Sequence, residues 1–376
     1  MIRLAVIGVG RMGSRHALNI FKNIKGATLC ALSDIDTNTL NEQCQKFQVK
    51  GYIDYKEMLL KEKLDGVVIA TPHYSHADIA IDCLKAGVNI LVEKPITVTT
   101  KEAKRLIQAA NESNLICSMM FNQRTNRMYQ KARQLIKDGV IGDIQRINFT
   151  ITNWYRSQFY YNMGGWRASW KGEGGGTLIN QCVHQLDILQ WLLGMPTSIY
   201  SICKTKGREI TTENDVTAIL SYEDFECVFT ASTHEYPGEN RLVIAGSKGR
   251  IEIYPLKMKY VVTDLDEKEI NARSQRDYGN KEDKKKKKYS YSYGLKNMIK
   301  DGLRGQQANI IENFTRAIQN KDKNILIAPL DEGIKAVTLI NGLILSSWED
   351  KRIDLPFNDD FYVKKLQEKI DLETNN

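Results

Sequence analysis

A chain of 376 residues, 42% hydrophobic and 26% charged, is long enough for two domains with ordinary cores. Its longest apolar runs, residues 64–70 and 336–345, are too short or too polar to cross a bilayer, and residues 2–8 read as a core strand rather than a secretory leader, so no membrane partner and a cytoplasmic location are expected. The net charge of +8 is concentrated at Lys281 and residues 284–288, a run expected to form a solvated loop, and with no basic recognition face a nucleic-acid partner is not expected.

Through residues 1–120, β-branched runs at 2–7, 27–32, 66–69 and 88–92 alternate with helical stretches at 12–21, 37–47, 75–86 and 101–113. That alternation predicts βαβ units and a doubly wound parallel sheet, closed by a further strand at 116–120. A first domain is therefore expected over 1–122 and a second over 123–376. In the second, a helix at 128–137 is followed by strands at 144–152, 199–204, 217–221, 227–232, 241–245, 250–254 and 259–263. Turns rather than helices join most of them, as in a large, open, mainly antiparallel sheet. One helix, 177–193, interrupts the series and ends at Gly194, and late helices are expected at 308–319 and 331–349. The seven cysteines are odd in number and never in a C-x-x-C pair, so they read as reduced thiols and no metal site is expected.

The opening strand runs into Gly8-Val9-Gly10-Arg11-Met12-Gly13, a G-x-G-x-x-G loop at the start of a helix. Gly8 permits the tight turn, Gly10 lets backbone approach a pyrophosphate, and Gly13 allows close packing of helix on strand. Arg11 and Met12 fall at the helix N-terminus, where a dinucleotide would rest. A second strand ends at Asp34, placed to accept hydrogen bonds from an adenosine ribose. The neighbouring Ile35 and Asp36 offer nothing to a 2′-phosphate, so NAD is expected, with NADP as the alternative. Asp34 has a competing use as the N-cap of the helix at 37.

Further motifs are Ile69-Ala-Thr71-Pro72-His73-Tyr-Ser-His76, Glu93-Lys94-Pro95 after a buried strand, and Gly174-Gly-Gly-Thr-Leu-Ile-Asn180-Gln-Cys-Val-His184-Gln-Leu-Asp187. Together with the glycine loop they resemble the glucose–fructose oxidoreductase/inositol dehydrogenase/rhizopine catabolism (Gfo/Idh/MocA) family over nearly the whole chain. The resemblance implies a Rossmann domain followed by an open-sheet α/β domain, association into homodimers or homotetramers, and Lys94 beside the nicotinamide and the reacting hydroxyl. Thr71, Pro72, His76, Glu93 and Lys94 are then expected to line the cofactor, with Glu93 orienting Lys94.

Asn180, His184, Asp187 and Trp191 recur at i, i+4, i+7 and i+11, one stripe of the expected helix. A histidine suits proton transfer near neutral pH better than an unperturbed lysine, so His184 is expected as the general acid/base and Lys94 as the positioning cation, roles that can be shared or reversed. Many members of the family carry aspartate where this chain has Asn180. The uncharged amide predicts that His184 titrates low and stays neutral at pH 7. The three glycines are expected to bring backbone close to a ligand and leave N–H groups free.

Between residues 154 and 170, Tyr155, Trp166 and five other aromatic residues are interleaved with Arg156 and Arg167. Flat apolar faces beside hydrogen-bond donors suit a sugar ring, and a core or dimer cluster is the competing use. Arg124, just past the first domain, is also expected to face the cleft. The reading is an NAD-dependent oxidoreductase acting on a secondary hydroxyl of a small carbohydrate-like substrate: a sugar, glycoside or cyclitol. Glycoside cleavage or elimination with transient use of NAD, and non-catalytic NAD and sugar sensing, are its rivals.

Overall fold

The computed structural model describes residues 1–281, 283, 285–292, 294 and 304–375. The first half alternates β1 (Ile2–Ile7), α1 (Arg11–Asn23), β2 (Ala27–Ser33), α2 (Thr37–Phe47), β3 (Lys50–Tyr52), α3 (Tyr55–Lys61), β4 (Gly66–Ile69), α4 (His76–Lys85), β5 (Asn89–Val92), α5 (Thr100–Ser113) and β6 (Cys117–Met119). All six strands are parallel in the order β3-β2-β1-β4-β5-β6. Successive residues of a strand face opposite ways, and both faces here are covered, which is why β1 is apolar throughout its buried length. Leu4 and Val6 point to one layer, and Ala5 and Ile7 to the other.

The second half begins with α6 (Arg127–Lys137), β7 (Ile144–Ile151), α7 (Gln158–Asn162), α8 (Thr177–Asn180) and α9 (Val183–Leu193). Strands β8 (Ser198–Lys204), β9 (Asp215–Ser221), β10 (Glu226–Ser232), β11 (Asn240–Gly246), β12 (Gly249–Tyr254) and β13 (Lys257–Thr263) follow. Then come α10 (Glu267–Arg273), β14 (Lys286–Ser292), α11 (Gln306–Asn320), α12 (Gly333–Glu349), β15 (Ile353–Asp354) and α13 (Asp359–Asn375). The nine strands form one sheet, β14-β13-β12-β11-β7-β10-β9-β8-β15, antiparallel except where β7 and β10 run parallel. Its inner face packs Ile147, Phe149, Ala218 and Phe229 into the core, α12 lies against β8, and α9 packs on α12.

Three local expectations change. The single helix at 177–193 is two helices, separated by Gln181 and Cys182. Residues 286–288 of the lysine run are solvent-exposed but form the start of β14, an edge strand on β13, rather than a loop; Lys284 lies outside the described residues. Lysines on an edge blunt its capacity to pair with another chain. Finally, α11 crosses back to the six-stranded sheet, where Ile310, Ile311 and Phe314 pack fully buried beside Leu4, Val6, Val68 and Leu91. At about 1.5–3 kcal/mol per buried apolar side chain, those three residues couple the late chain firmly to the first sheet.

Candidate active site

The glycine loop sits between the ends of β1 and β4. Gly8 has φ of +83°, and a Cβ there would lie 2.8 Å from the backbone of Ala70. A Cβ on Gly13 would collide with the carbonyl oxygen of Gly8, so the loop can close on α1 only with glycine at both places. Gly10 faces open space, and α1 carries no side-chain cap and no acidic residue in its first turn. The N–H groups at Arg11, Met12 and Gly13 thus form a bare, positively polarised helix end, as a pyrophosphate requires. Asp34 does not cap α2, because Asp36 does, accepting from Thr39 N. Instead the Asp34 carboxylate accepts from Val9 N at 2.7 Å and Asp36 N at 2.9 Å, with lone pairs left for a ribose. These residues fit an NAD molecule.

Glu93, Lys94 and Pro95 follow β5 at the carboxyl edge of the sheet, and the Lys94–Pro95 bond is cis. Glu93 is buried and engages both its oxygens: one meets His16 Nε2 at 2.6 Å, the other accepts from Lys94 N at 3.0 Å. Burial works to raise its pKa, but the hydrogen bond and charge of His16, with Lys94 and His184, outweigh it and hold the carboxyl at about 2. Glu93 therefore orients Lys94 from a buried position, with each carboxylate oxygen engaged inside the protein. His76 is engaged likewise: it is fully buried, with Nδ1 2.8 Å from the Pro95 carbonyl and Nε2 2.8 Å from that of Thr71. It braces the Thr71-Pro72 turn against the Lys94-Pro95 turn from inside.

Lys94 Nζ donates to the carbonyl oxygen of Asn180 at 2.8 Å, joining the two halves of the site. Burial lowers the lysine pKa and Arg167 adds to the effect, against the opposing carboxylates of Glu93 and Glu173. His184 stands in the first turn of α9 with its ring edge-on to Phe121, 6.5 Å between centroids. Its Nδ1 is buried without a partner among the described residues. Burial and the Lys94 charge push the imidazole down to about 3 despite Glu93, which leaves it neutral at pH 7. The Asn180 amide is not idle: it donates to the buried carboxylate of Glu173, which also accepts from Ala168 N.

The triple glycine serves packing rather than a ligand. Cβ atoms at Gly174 and Gly176 would collide with Val98 and with Thr212 and Glu213. The expected free N–H groups are taken by the Glu213 carboxylate, which accepts from Gly176 N and Leu178 N at 2.9 to 3.1 Å. His16, Glu173 and Glu213 were not expected. Glu173 alone had a local signal, an acid directly before the glycines.

Arg124 does not face the cleft. It is 1% exposed and forks onto Asp187 at 2.6 and 2.9 Å, with Glu332 and the Ile327 carbonyl on its other side. This pins α9 one turn below His184. The aromatic stretch divides: Tyr161 and Trp170 are buried, Trp170 against Trp348, whereas Tyr155, Phe159 and Trp166 remain exposed. Arg167 donates to the Tyr160 hydroxyl at 3.0 Å, and Gln181, beside Asn180, reaches the same hydroxyl at 3.5 Å. Trp166 lies edge-on to His73, whose Nδ1 is 3.0 Å from the Glu173 carbonyl.

Comparison with known proteins agrees with this geometry. Residues 2–121 match the profile described as "Oxidoreductase family, NAD-binding Rossmann fold", and residues 129–252 match "GFO/IDH/MocA C-terminal domain". The chain is 28% identical over 268 residues to the scyllo-inositol 2-dehydrogenase (NAD(+)) of Bacillus subtilis (strain 168), covering 69% of this chain and 76% of the relative. It is 26% identical over 258 residues to a myo-inositol 2-dehydrogenase of Thermotoga maritima, covering 66% and 74%. In fold it is similar to the WlbA dehydrogenase from Bordetella pertussis in complex with NADH and UDP-GlcNAcA, with a TM-score of 0.81 at 22% identity over 95% of this chain and 98% of that one. The chain belongs to the Gfo/Idh/MocA oxidoreductase family and carries that family's NAD-binding Rossmann fold.

Proposed function

We propose that the protein exchanges a hydride reversibly between NAD and a secondary ring hydroxyl of a sugar, glycoside or cyclitol. The observation that carries this reading is the bond from Lys94 Nζ to the Asn180 carbonyl, which ties the amine at the carboxyl edge of the sheet to the segment leading to His184, whose imidazole feels the Lys94 charge. Bound NAD supplies the hydride acceptor or donor. Everything else falls to side chains.

The proton roles reverse relative to expectation. An imidazole held near 3 is a weak base at neutral pH, whereas burial moves Lys94 from its alkaline value towards neutrality. Lys94, as the neutral amine, takes the hydroxyl proton during oxidation and returns it during reduction. His184 stays neutral and fixes the substrate oxygen by a hydrogen bond. Glu93, held by His16, keeps the Lys94 backbone in place. Tyr155, Trp166, Arg156 and Arg167 form the rim that receives the sugar, and Asn180 supports it from below through Glu173. Copies associate through the outer face of the nine-stranded sheet, where Tyr200, Ile219 and Val228 stand in one exposed cross-strand row.

A screen of NAD and NADP against monosaccharides, glycosides, inositols and nucleotide sugars tests the reading. Reduction of NAD by at least one class is expected. Product formation without net NADH would replace the reading by transient redox use, and tight NAD binding with no product at all would replace it by sensing.

A further inference from the structure

The rim holds a concentration of positive charge with no carboxylate at ion-pair distance among the described residues, although Glu173 feels the field of Arg167. Arg105, Arg124 and Arg250 each pair with a carboxylate. Among the described residues Arg156, Arg167 and Arg208 do not, and their hydrogen bonds go to the Tyr155 carbonyl, the Tyr160 hydroxyl, and the Arg156 and Gly207 carbonyls. They are stacked instead. The guanidinium carbons of Arg156 and Arg167 lie 4.8 and 5.0 Å from the centroid of the same ring, Tyr160, while Arg156 also covers Trp154 and Arg167 also covers Trp166. Arg208 lies over Tyr155 at 5.2 Å. Arg156 Nε is buried with no hydrogen-bond partner among the described residues.

A guanidinium held over a ring by cation–π attraction keeps in-plane donors for other partners, and beyond one bond each, from Arg156 to the Tyr155 carbonyl and from Arg167 to the Tyr160 hydroxyl, the two arginines retain N–H groups. Two flat cations are thereby held around one phenol, with their remaining N–H donors left for a carboxylate or a phosphoryl group. The cluster also adjoins the reactive centre. The Tyr160 hydroxyl that accepts from Arg167 also accepts from Gln181, and the neighbouring Asn180 carbonyl holds Lys94.

We propose that Arg156 and Arg167, held over Tyr160, form an oxyanion subsite that binds a carboxylate or phosphoryl group carried by the sugar whose hydroxyl is oxidised at Lys94. This deepens the dehydrogenase reading and rests on it. The substrate is an anionic sugar, and the aromatic faces between the arginines receive the ring that links its anion to the reacting carbon.

The test is a matched panel in several hexose configurations: the neutral sugar, its uronate, its 1-phosphate and its nucleoside-diphosphate ester. Each is assayed for NADH formation and for calorimetric binding to NAD-saturated protein. One anionic form is expected to exceed its neutral counterpart about 100-fold in kcat/KM, and that advantage falls with added salt. Arg156→Gln and Arg167→Gln each lower kcat/KM for the anionic form about 10- to 100-fold, mainly through KM, as loss of a charge-assisted hydrogen bond does. Arg167→Lys restores part of the loss, and melting temperature with NAD affinity verifies that each variant folds. Which anionic form wins identifies the source of the oxyanion. Equal use of neutral and anionic sugars, or an anionic preference that survives both substitutions and high salt, overturns the subsite. Anion binding that needs the arginines but yields no oxidation of any sugar retains the subsite and overturns the dehydrogenase reading. Neither binding nor turnover overturns both.

Discussion

The two walls of the site are built on opposite principles. Around Glu93 and Lys94 the groups are held by hydrogen bonds inside the protein: Glu93 between His16 and the Lys94 backbone, His76 between two carbonyls, Lys94 on Asn180. Around Arg156 and Arg167 aromatic rings hold the guanidinium groups, and only one N–H of each is spent on a hydrogen bond among the described residues. A reacting group must be held to fractions of an ångström, which such hydrogen bonding achieves. A recognition surface needs donors left over for its ligand, which stacking allows. On the proposed reading, the contrast separates the wall that performs chemistry from the wall that chooses what is acted on.

Substitutions at Lys94 attack the first wall directly and have the largest expected effect. Lys94→Met lowers kcat by about 10²- to 10⁴-fold, the range for losing a general base. On the proposed mechanism oxidation requires the neutral amine, so kcat/KM is expected to rise with pH through a limb that lies below the ordinary lysine value, and Lys94→Met to abolish the limb. His184→Asn slows turnover while the limb stays in place. A limb that vanished with His184 rather than with Lys94 would return the proton to the histidine.

The next effect is on stability. Arg124→Ala leaves Asp187 charged and buried, with an expected loss of about 3–5 kcal/mol in unfolding free energy by denaturant titration. Because α9 carries His184, kcat falls as well. A stable Arg124→Ala variant with altered KM alone would put Arg124 back among the substrate contacts.

Glu373 sharpens the comparison from the other side. Its carboxylate, near the end of α13, accepts from Trp170 N at 3.0 Å and Lys171 N at 2.9 Å and also meets Thr211, clamping the base of the rim. Glu373→Ala should raise KM about threefold to tenfold and leave kcat within twofold, in keeping with loss of hydrogen bonds to one partly exposed carboxylate. A fall in kcat of equal size would mean that the two walls are not separable.

The smallest effect concerns Glu213. Burial raises its pKa to about 7 even though backbone N–H groups of Leu178 and Gly176 favour the charged form. The folded pKa is thus above the unfolded one of about 4.3, so the stability linked to its proton is fully present below pH ~4.3 and is lost as pH rises through about 7. The melting temperature should decline across that window, and Glu213→Gln should flatten the decline. An unchanged slope would remove Glu213 as its source.

Much of this was legible in the chain alone, for local reasons. Gly8 and Gly13 announce themselves because a tight turn and a close helix leave no room for a Cβ, and the alternation of strands and helices needs only short-range periodicity. The antiparallel strands of the second half were visible for the same reason. The helix expected at 177–193 misled because its apolar period continues across Gln181 and Cys182, where the backbone does not. Arg124 misled because an arginine after a parallel strand has the same sequence signature whether it meets substrate or a buried aspartate.

By itself the sequence determined the dinucleotide loop, the strand-end position of Lys94 and the presence of His184 in a glycine-led segment. Each follows from neighbours within a few residues. Only the tertiary structure decided what those groups are worth. His16 and Glu93 meet across 77 residues, and Arg124 and Asp187 across 63. Such pairings are selected by how sheets and helices pack, which no local pattern encodes. The electrostatics of Lys94 and His184 depend on them, because burial and neighbouring charge, not residue type, set which of the two can carry a proton.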